Sequence, residues 1–145
     1  MAFTFMNSVL EKAKQKKMTI AIPEVKNEYM IKAAVRATAD GVANIILVGD
    51  PADVAKTAEA CGVDVSGIRI VDVNDSAYKE ELLEKYDASP NKAMPKKFVG
   101  KRIDNPLYLA TLLQAVGEAD GTLAGVDTTT YEFVLAAKSI IGMQP

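Results

Sequence analysis

The chain has 145 residues, the size of one compact domain, and its 49% hydrophobic and 25% charged content is the balance of a globular protein, which excludes disorder and fibrous structure. A formal net charge of −2 and a pI near 5.2 leave no broad basic surface for nucleic acid or an anionic membrane, and no apolar run approaches the ~20 residues that span a bilayer. The absence of histidine excludes a Ser-His-Asp triad, a His-activated cysteine and His-ligated zinc, and the single cysteine cannot close an internal disulfide, which fits a reducing cytoplasm.

Residues 5–17 open the chain with Met6, Val9, Leu10 and Ala13 at i, i+3, i+4 and i+7, one apolar stripe of a helix. Lys14, Lys16 and Lys17 follow, suiting the negative end of the helix dipole and reversing the charge order of a signal peptide. Met18-Thr19-Ile20-Ala21-Ile22, stopped by Pro23, reads as a strand. Residues 27–40 read as a helix with Met30, Ala33, Ala34 and Ala37 on one face, ended by Gly41. Residues 44–49 are apolar without alternation, as in a parallel strand covered on both sides. Asp50-Pro51 then opens a helix as N-cap and first-turn proline, with Val54, Ala58 and Cys61 inside.

Residues 68–71 are the next strand, and Asp75 or Ser76 caps a helix that buries Tyr78, Leu82 and Leu83. From Asp87 to Asp104 the periodicity breaks down, and the segment with its basic residues Lys92, Lys96, Lys97, Lys101 and Arg102 reads as an exposed loop. Asn105-Pro106 restarts a helix with Leu109, Leu112, Leu113 and Val116 inside, ending near Gly117. Residues 122–126 form a short strand, and residues 129–141 a last helix with Phe133, Ala136, Ala137 and Ile140 inside and Thr129 and Glu132 at capping-box spacing. Strand and helix alternate throughout, which predicts an α/β three-layer sandwich: a mostly parallel sheet with helices on both faces. Ligands of such sheets bind at the carboxyl ends of the strands, here residues 23–27, 49–51, the segment after Val71, and residues 125–130.

Neither a GxGxxG nor a P-loop fingerprint occurs. Gly117-Glu118-Ala119-Asp120-Gly121 reads as a helix stop and a turn. Gly125-Val126-Asp127-Thr128-Thr129-Thr130 sets three hydroxyls and several backbone N–H groups where a strand passes into a helix. That is either an anion site or an over-provided N-cap. The Lys92–Arg102 cluster can clamp a phosphate, yet nothing in its spacing fixes a geometry, and a solvated loop is the commoner use of such a run. Cys61 closes a helix on its apolar face and reads as core. Glu24 stands at a strand's carboxyl end, where a functional carboxylate belongs, although exposed acidic turns are commoner there.

Thr19-Ile20-Ala21-Ile22-Pro23-Glu24 and Ala43-Asn44-Ile45-Ile46-Leu47-Val48-Gly49-Asp50 resemble the opening of the phosphotransacetylases, the phosphate acetyl/butyryltransferase family. Asn105-Pro106-Leu107-Tyr108-Leu109-Ala110, Gly117-Glu118-Ala119-Asp120-Gly121 and Ala124-Gly125 resemble that family's DPxYF…GEADG…SGA stretch, and Thr128-Thr129-Thr130 falls on its Ser/Thr-rich turn. The resemblance implies an isocitrate/isopropylmalate dehydrogenase-like fold for residues 1–145 as a single α/β domain, the N-terminal half of a two-domain enzyme. It implies the reaction of acyl-CoA with phosphate to give acyl phosphate and CoA, in a cleft between two domains, without a metal or bound cofactor and with CoA as substrate. A carboxylate base takes the thiol proton, while arginines and hydroxyls hold the phosphate and the developing oxyanion. On that basis the substrate-binding residues are Gly125, Thr128, Thr129, Thr130, Lys96, Lys97 and Tyr108, with no catalytic residue assigned.

The chain departs from the family pattern in three places. Family members are about twice as long, with much of their chemistry in the second half. The family's RKxKG loop is represented by Pro95-Lys96-Lys97-Phe98-Val99-Gly100, where lysine lacks the bidentate fork of arginine. Leu135 stands where the family has an arginine. The expected partners are therefore acyl-CoA, phosphate or acyl phosphate, together with a complementary second domain or further copies in a homo-oligomer; the expected location is the cytoplasm. The alternative is a non-catalytic module, derived from that family, which binds a ligand or a protein.

Overall fold

The computed structural model describes residues 2–144. Four strands, β1 (Met18–Ile22), β2 (Ala43–Gly49), β3 (Arg69–Asp72) and β4 (Gly121–Thr122), form one sheet in the order β3-β2-β1-β4. Every pairing is parallel, with Ile20 opposite Ile45 and Gly121, and Leu47 opposite Ile70. The helices are α1 (Ala2–Gln15), α2 (Glu28–Ala39), α3 (Pro51–Cys61), α4 (Ser76–Asp87), α5 (Lys96–Gly100), α6 (Pro106–Ala115) and α7 (Thr130–Ile140). None among the described residues is long and apolar enough to cross a membrane.

The unbroken apolar runs of β1 and β2 are explained by burial on both sides of the sheet. Alternate side chains serve two cores, because successive residues of a strand point to opposite faces. Ile22, Ile45 and Leu47 pack with Met30, Ile31 and Ala34 of α2 and Val54 and Ala58 of α3. Ala21, Ile46, Val48 and Val71 pack with Leu82, Leu83 and Tyr86 of α4, Val99 of α5, Leu109, Leu112 and Leu113 of α6, and Ile140 of α7. The α2 face centres on Ile31, which is fully buried; of the predicted face Met30 and Ala34 are buried and Ala37 packs partly buried against the same core, whereas Ala33 is exposed.

The caps that the sequence predicts at Asp50, Asp75 and Thr129 are present, and Asn27 and Asn105 add two more. Asn27, Asp50, Asp75 and Asn105 each accept backbone N–H groups in the first turn, and Thr129 and Glu132 complete a capping box. Three expectations change. The predicted loop of residues 87–104 contains α5, and its Val99 and Ile103 are buried in the larger core. The Tyr86 hydroxyl anchors the approach to it by accepting the Ala93 and Met94 N–H groups at 3.1 and 3.2 Å. The last strand shrinks to Gly121 and Thr122, because the chain turns away from β1 to form the loop described below. Finally, the apolar stripe of α1 faces solvent, with Phe5, Met6, Val9 and Leu10 all exposed.

Candidate functional site: the crevice between β1 and β4

The connections from β1 to β2 to β3 proceed in one direction across the sheet, and β4 then lies on the other side of β1. The reversal opens a crevice at the carboxyl ends of β1 and β4, the place where open parallel sheets bind ligands. Two loops meet there: residues 23–27 after β1, and residues 123–129 between β4 and α7.

Glu24 joins them. Its residue is only 7% exposed, and its carboxylate accepts four consecutive backbone N–H groups of the opposite loop. Gly125 (2.6 Å) and Val126 (3.2 Å) donate to Oε1, while Asp127 and Thr128 (3.0 Å for Thr128) donate to Oε2. Burial pushes the carboxyl pKa up, but the donors from Asp127, Gly125, Val126 and Thr128 outweigh it and hold Glu24 below its ordinary 4.5. A second tie lies beside the first. Asn27 caps α2 with its Oδ1, and its Nδ2 donates to both carboxylate oxygens of Asp127 at 3.2 Å. Gly125, at φ +126°, adopts backbone closed to most side chains, which lets four successive N–H groups converge.

Two cavities flank this joint. One, of about 460 Å³, is lined by Pro23, Glu24, Val25, Gly49, Asp50 and Asp127 among others. Lys26, which also lines it, lies 3.5 Å from Asp53. The other, of about 320 Å³, lies between α6 and α7 and is lined by Asn105, Leu107, Tyr108, Asp127, Thr128, Glu132 and Leu135. Its polar walls are hydroxyl, amide and carboxylate, with no basic side chain among the described residues.

The predicted site residues separate accordingly. Tyr108 and Thr128 share the smaller cavity. The N–H groups of Gly125 and Thr128 are committed to Glu24, which makes the loop an anion site whose anion belongs to the protein. The Thr129 hydroxyl is engaged by Glu132 in the capping box, while Thr130 begins α7 at the surface. Lys96 lines neither cavity. It bonds Glu80 at 2.6 Å and also Glu84, and these carboxylates of α4 raise its pKa well above the usual lysine value. Lys97 is exposed and lines neither cavity. Lys92 is held by Asp87, and Arg102 lies over the Phe98 ring at 3.6 Å, so much of the basic cluster is used locally.

The Gly117–Gly121 motif serves as a brace. Asp120 exchanges two hydrogen bonds with Thr19, each 2.8 Å, and Glu118 meets Lys85 at 3.1 Å and Arg69 at 3.6 Å. Cys61 packs at the edge of the α2–α3 core, as predicted. Sequence reasoning missed the partnership of Glu24, Asn27 and Asp127. Its separate halves were visible, a carboxylate at one strand end and a glycine-led turn at another, but their adjacency depends on strand order.

A family model described as Phosphate acetyl/butaryl transferase matches residues 4–145. The chain is 29% identical over 142 residues to the phosphate acetyltransferase of Helicobacter pylori, covering 97% of this chain and 27% of that one. It is 32% identical over 147 residues to the phosphate acetyltransferase of Haemophilus influenzae, covering 99% and 20%. Among solved structures it resembles the EutD phosphotransacetylase from Staphylococcus aureus, with a TM-score of 0.80 and 26% identity over 96% of this chain and 42% of that one. The chain thus spans from a fifth to about two fifths of the length of these relatives.

Proposed function

Because the chain belongs to the phosphate acetyl/butyryltransferase family, we propose that it serves the reaction of acyl-CoA with phosphate to give acyl phosphate and CoA, as one wall of the reaction cleft. The carrying observation is the cavity between α6 and α7, where Tyr108 and Thr128 face the same 320 Å³. Neither hydroxyl is used in the hydrogen bonding of the loop, so both are available to a phosphoryl or carbonyl oxygen. Leu135, at the position where the resemblance calls for an arginine, lines the same cavity. Thr130, Gly125 and Thr129 act in this reading through the loop and its cap, and Lys96 and Lys97 as a distant basic edge. The reading extends to a cytoplasmic location, a single α/β domain over residues 1–145, and the isocitrate/isopropylmalate dehydrogenase-like grouping of its sheet.

A second reading, a binding module without turnover, is favoured by the charge of the cavity. Asp127 and Glu132 line it, no lysine or arginine among the described residues does, and one preorganised charged donor is commonly worth about 10²–10³ in rate. A charged donor from another domain or subunit is then what turnover requires. Exposed apolar residues on α1 and on α7, where Tyr131, Val134 and Leu135 are exposed, support a homo-oligomer, which a sedimentation mass of one chain at high concentration would refute.

A coupled assay for CoA-dependent acyl phosphate formation tests the two readings, run on the chain alone and with the second domain of a full-length relative. Turnover that appears in the mixture and falls on Thr128→Ala and Tyr108→Phe supports the acyltransferase reading. Calorimetric binding of CoA or phosphate, with no turnover in either sample, supports the binding module.

A further inference from the structure

Four consecutive amides converging on one carboxylate are more than a helix cap requires. A capping side chain ordinarily satisfies one or two of the first-turn donors, and α7 already has its own cap in Thr129 and Glu132. The loop before it spends the N–H groups of residues 125–128 on Glu24, which arrives from a strand end about a hundred residues away. The arrangement suits a carboxylate, since each oxygen receives two donors, and backbone nests of this kind bind anions.

We propose that residues 125–128 are a carboxylate-binding nest whose resident ligand is the Glu24 side chain, and that Glu24 is thereby the positioning residue for Thr128 and the entry to α7. The proposal concerns the loop itself and does not rest on the acyltransferase reading, since its readouts need no turnover. The 460 Å³ cavity opens on Glu24 and Asp127, so a small solute can reach the nest once the side chain is shortened. Glu24→Ala removes a methylene and a carboxylate, the atoms of one acetate ion. The charged groups facing this region are Lys26 and Asp53, which pair with each other, Asp50, whose carboxylate caps α3 and accepts from Asn74, and Asp127, held by Asn27. The unpaired charge among them is negative, so an entering anion is drawn by the amides alone.

The experiment is residue-resolved amide hydrogen exchange on the whole chain, comparing the unmodified protein with Glu24→Gln and Glu24→Ala. A hydrogen bond to a charged group is worth enough that losing it raises exchange roughly tenfold or more at the amides of Val126, Asp127 and Thr128. The amides of α2 and α6 are expected to keep their rates. In Glu24→Ala, sodium acetate is expected to restore protection saturably, while sodium chloride at equal ionic strength does not. Unchanged exchange in Glu24→Gln overturns the positioning role, and acetate acting no better than chloride overturns the nest. Restoration by inorganic phosphate equal to that by acetate overturns the carboxylate assignment in favour of a general anion site. Should Glu24→Ala fail to fold, the unmodified protein decides. The Glu24 carboxyl carbon is expected to titrate below 4.5 with the amide shifts of residues 125–128 following the same midpoint, and a midpoint at or above 4.5 refutes the proposal.

Discussion

Replacing Tyr86 by phenylalanine removes one oxygen and leaves the buried ring in place. That oxygen donates to the Ile140 carbonyl at 3.1 Å and accepts the N–H groups of Ala93 and Met94 at 3.1 and 3.2 Å. It therefore joins α4, the approach to α5 and the end of α7 at a side chain that is 2% exposed. A phenol has one donor and two acceptor sites, so its hydrogen-bonding capacity is filled. On substitution the Ile140 carbonyl loses its tyrosine partner in a buried setting, which costs about 1–3 kcal/mol. The Ala93 and Met94 amides lie at exposed residues that water can reach, so each adds only the net worth of an ordinary hydrogen bond, about 0.5–1 kcal/mol. The sum is about 2–5 kcal/mol, which for a domain near this size lowers Tm by roughly 4–20 °C. The chain has no tryptophan, so urea denaturation is best followed by far-UV circular dichroism. The expected result is a lower midpoint with an unchanged slope, and faster exchange at the Ala93 and Met94 amides than elsewhere. A loss below about 0.5 kcal/mol, within the range of an ordinary surface substitution, would refute the view that this hydroxyl organises residues 87–104.

A Cβ added at Gly49 would meet Val25 Cγ2 at 2.5 Å, so Gly49→Ala is expected to cost about 1–3 kcal/mol by overpacking, and Val25→Ala in the same chain to restore part of that loss in denaturant titrations. Glu24 is held below its ordinary 4.5, so its contribution is present above that pH and lost as pH falls through the lower folded value; stability profiles from pH 6 downward are expected to lose that part of their acid slope in Glu24→Gln, and an identical slope would argue against it. The stripe of α1 is exposed in a single chain, so Met6→Ser and Leu10→Ser are expected to change stability by no more than about 0.5 kcal/mol at low protein concentration and by more as concentration rises, if α1 is an oligomer contact; a loss that does not depend on concentration would argue against that contact.

What could be read from the sequence was local. Runs of β-branched residues marked the strands, and their lack of alternation marked a sheet covered on both faces. Asn27, Asp50, Asn105 and Thr129 announced helix starts because a cap acts on amides two or three residues away. Residues 87–104 escaped this reading because Val99 and Ile103 are ordered by packing with Leu82, Leu83 and Tyr86 of α4 and the leucines of α6, not by any period of their own. The family resemblance alone assigned Lys96 and Lys97 to the substrate, because nothing local shows that the carboxylates holding Lys96 lie on α4, one turn apart at Glu80 and Glu84.

The candidate site depended on a longer reach. Glu24 and Gly125 are 101 residues apart, and Asn27 and Asp127 are 100 apart. No spacing rule joins them, since each loop alone satisfies the expectations for an acidic turn and a helix entry. The sequence by itself determined β1, β2 and β3 and every helix except α5, and it predicted a ligand-binding edge at the strands' carboxyl ends. The tertiary structure decided that β4 lies beside β1, and with that which carboxylate occupies the amides of residues 125–128. The reason is physical: periodicity and capping are written over a few residues, whereas strand order arises only when the two cores close on both faces of the sheet.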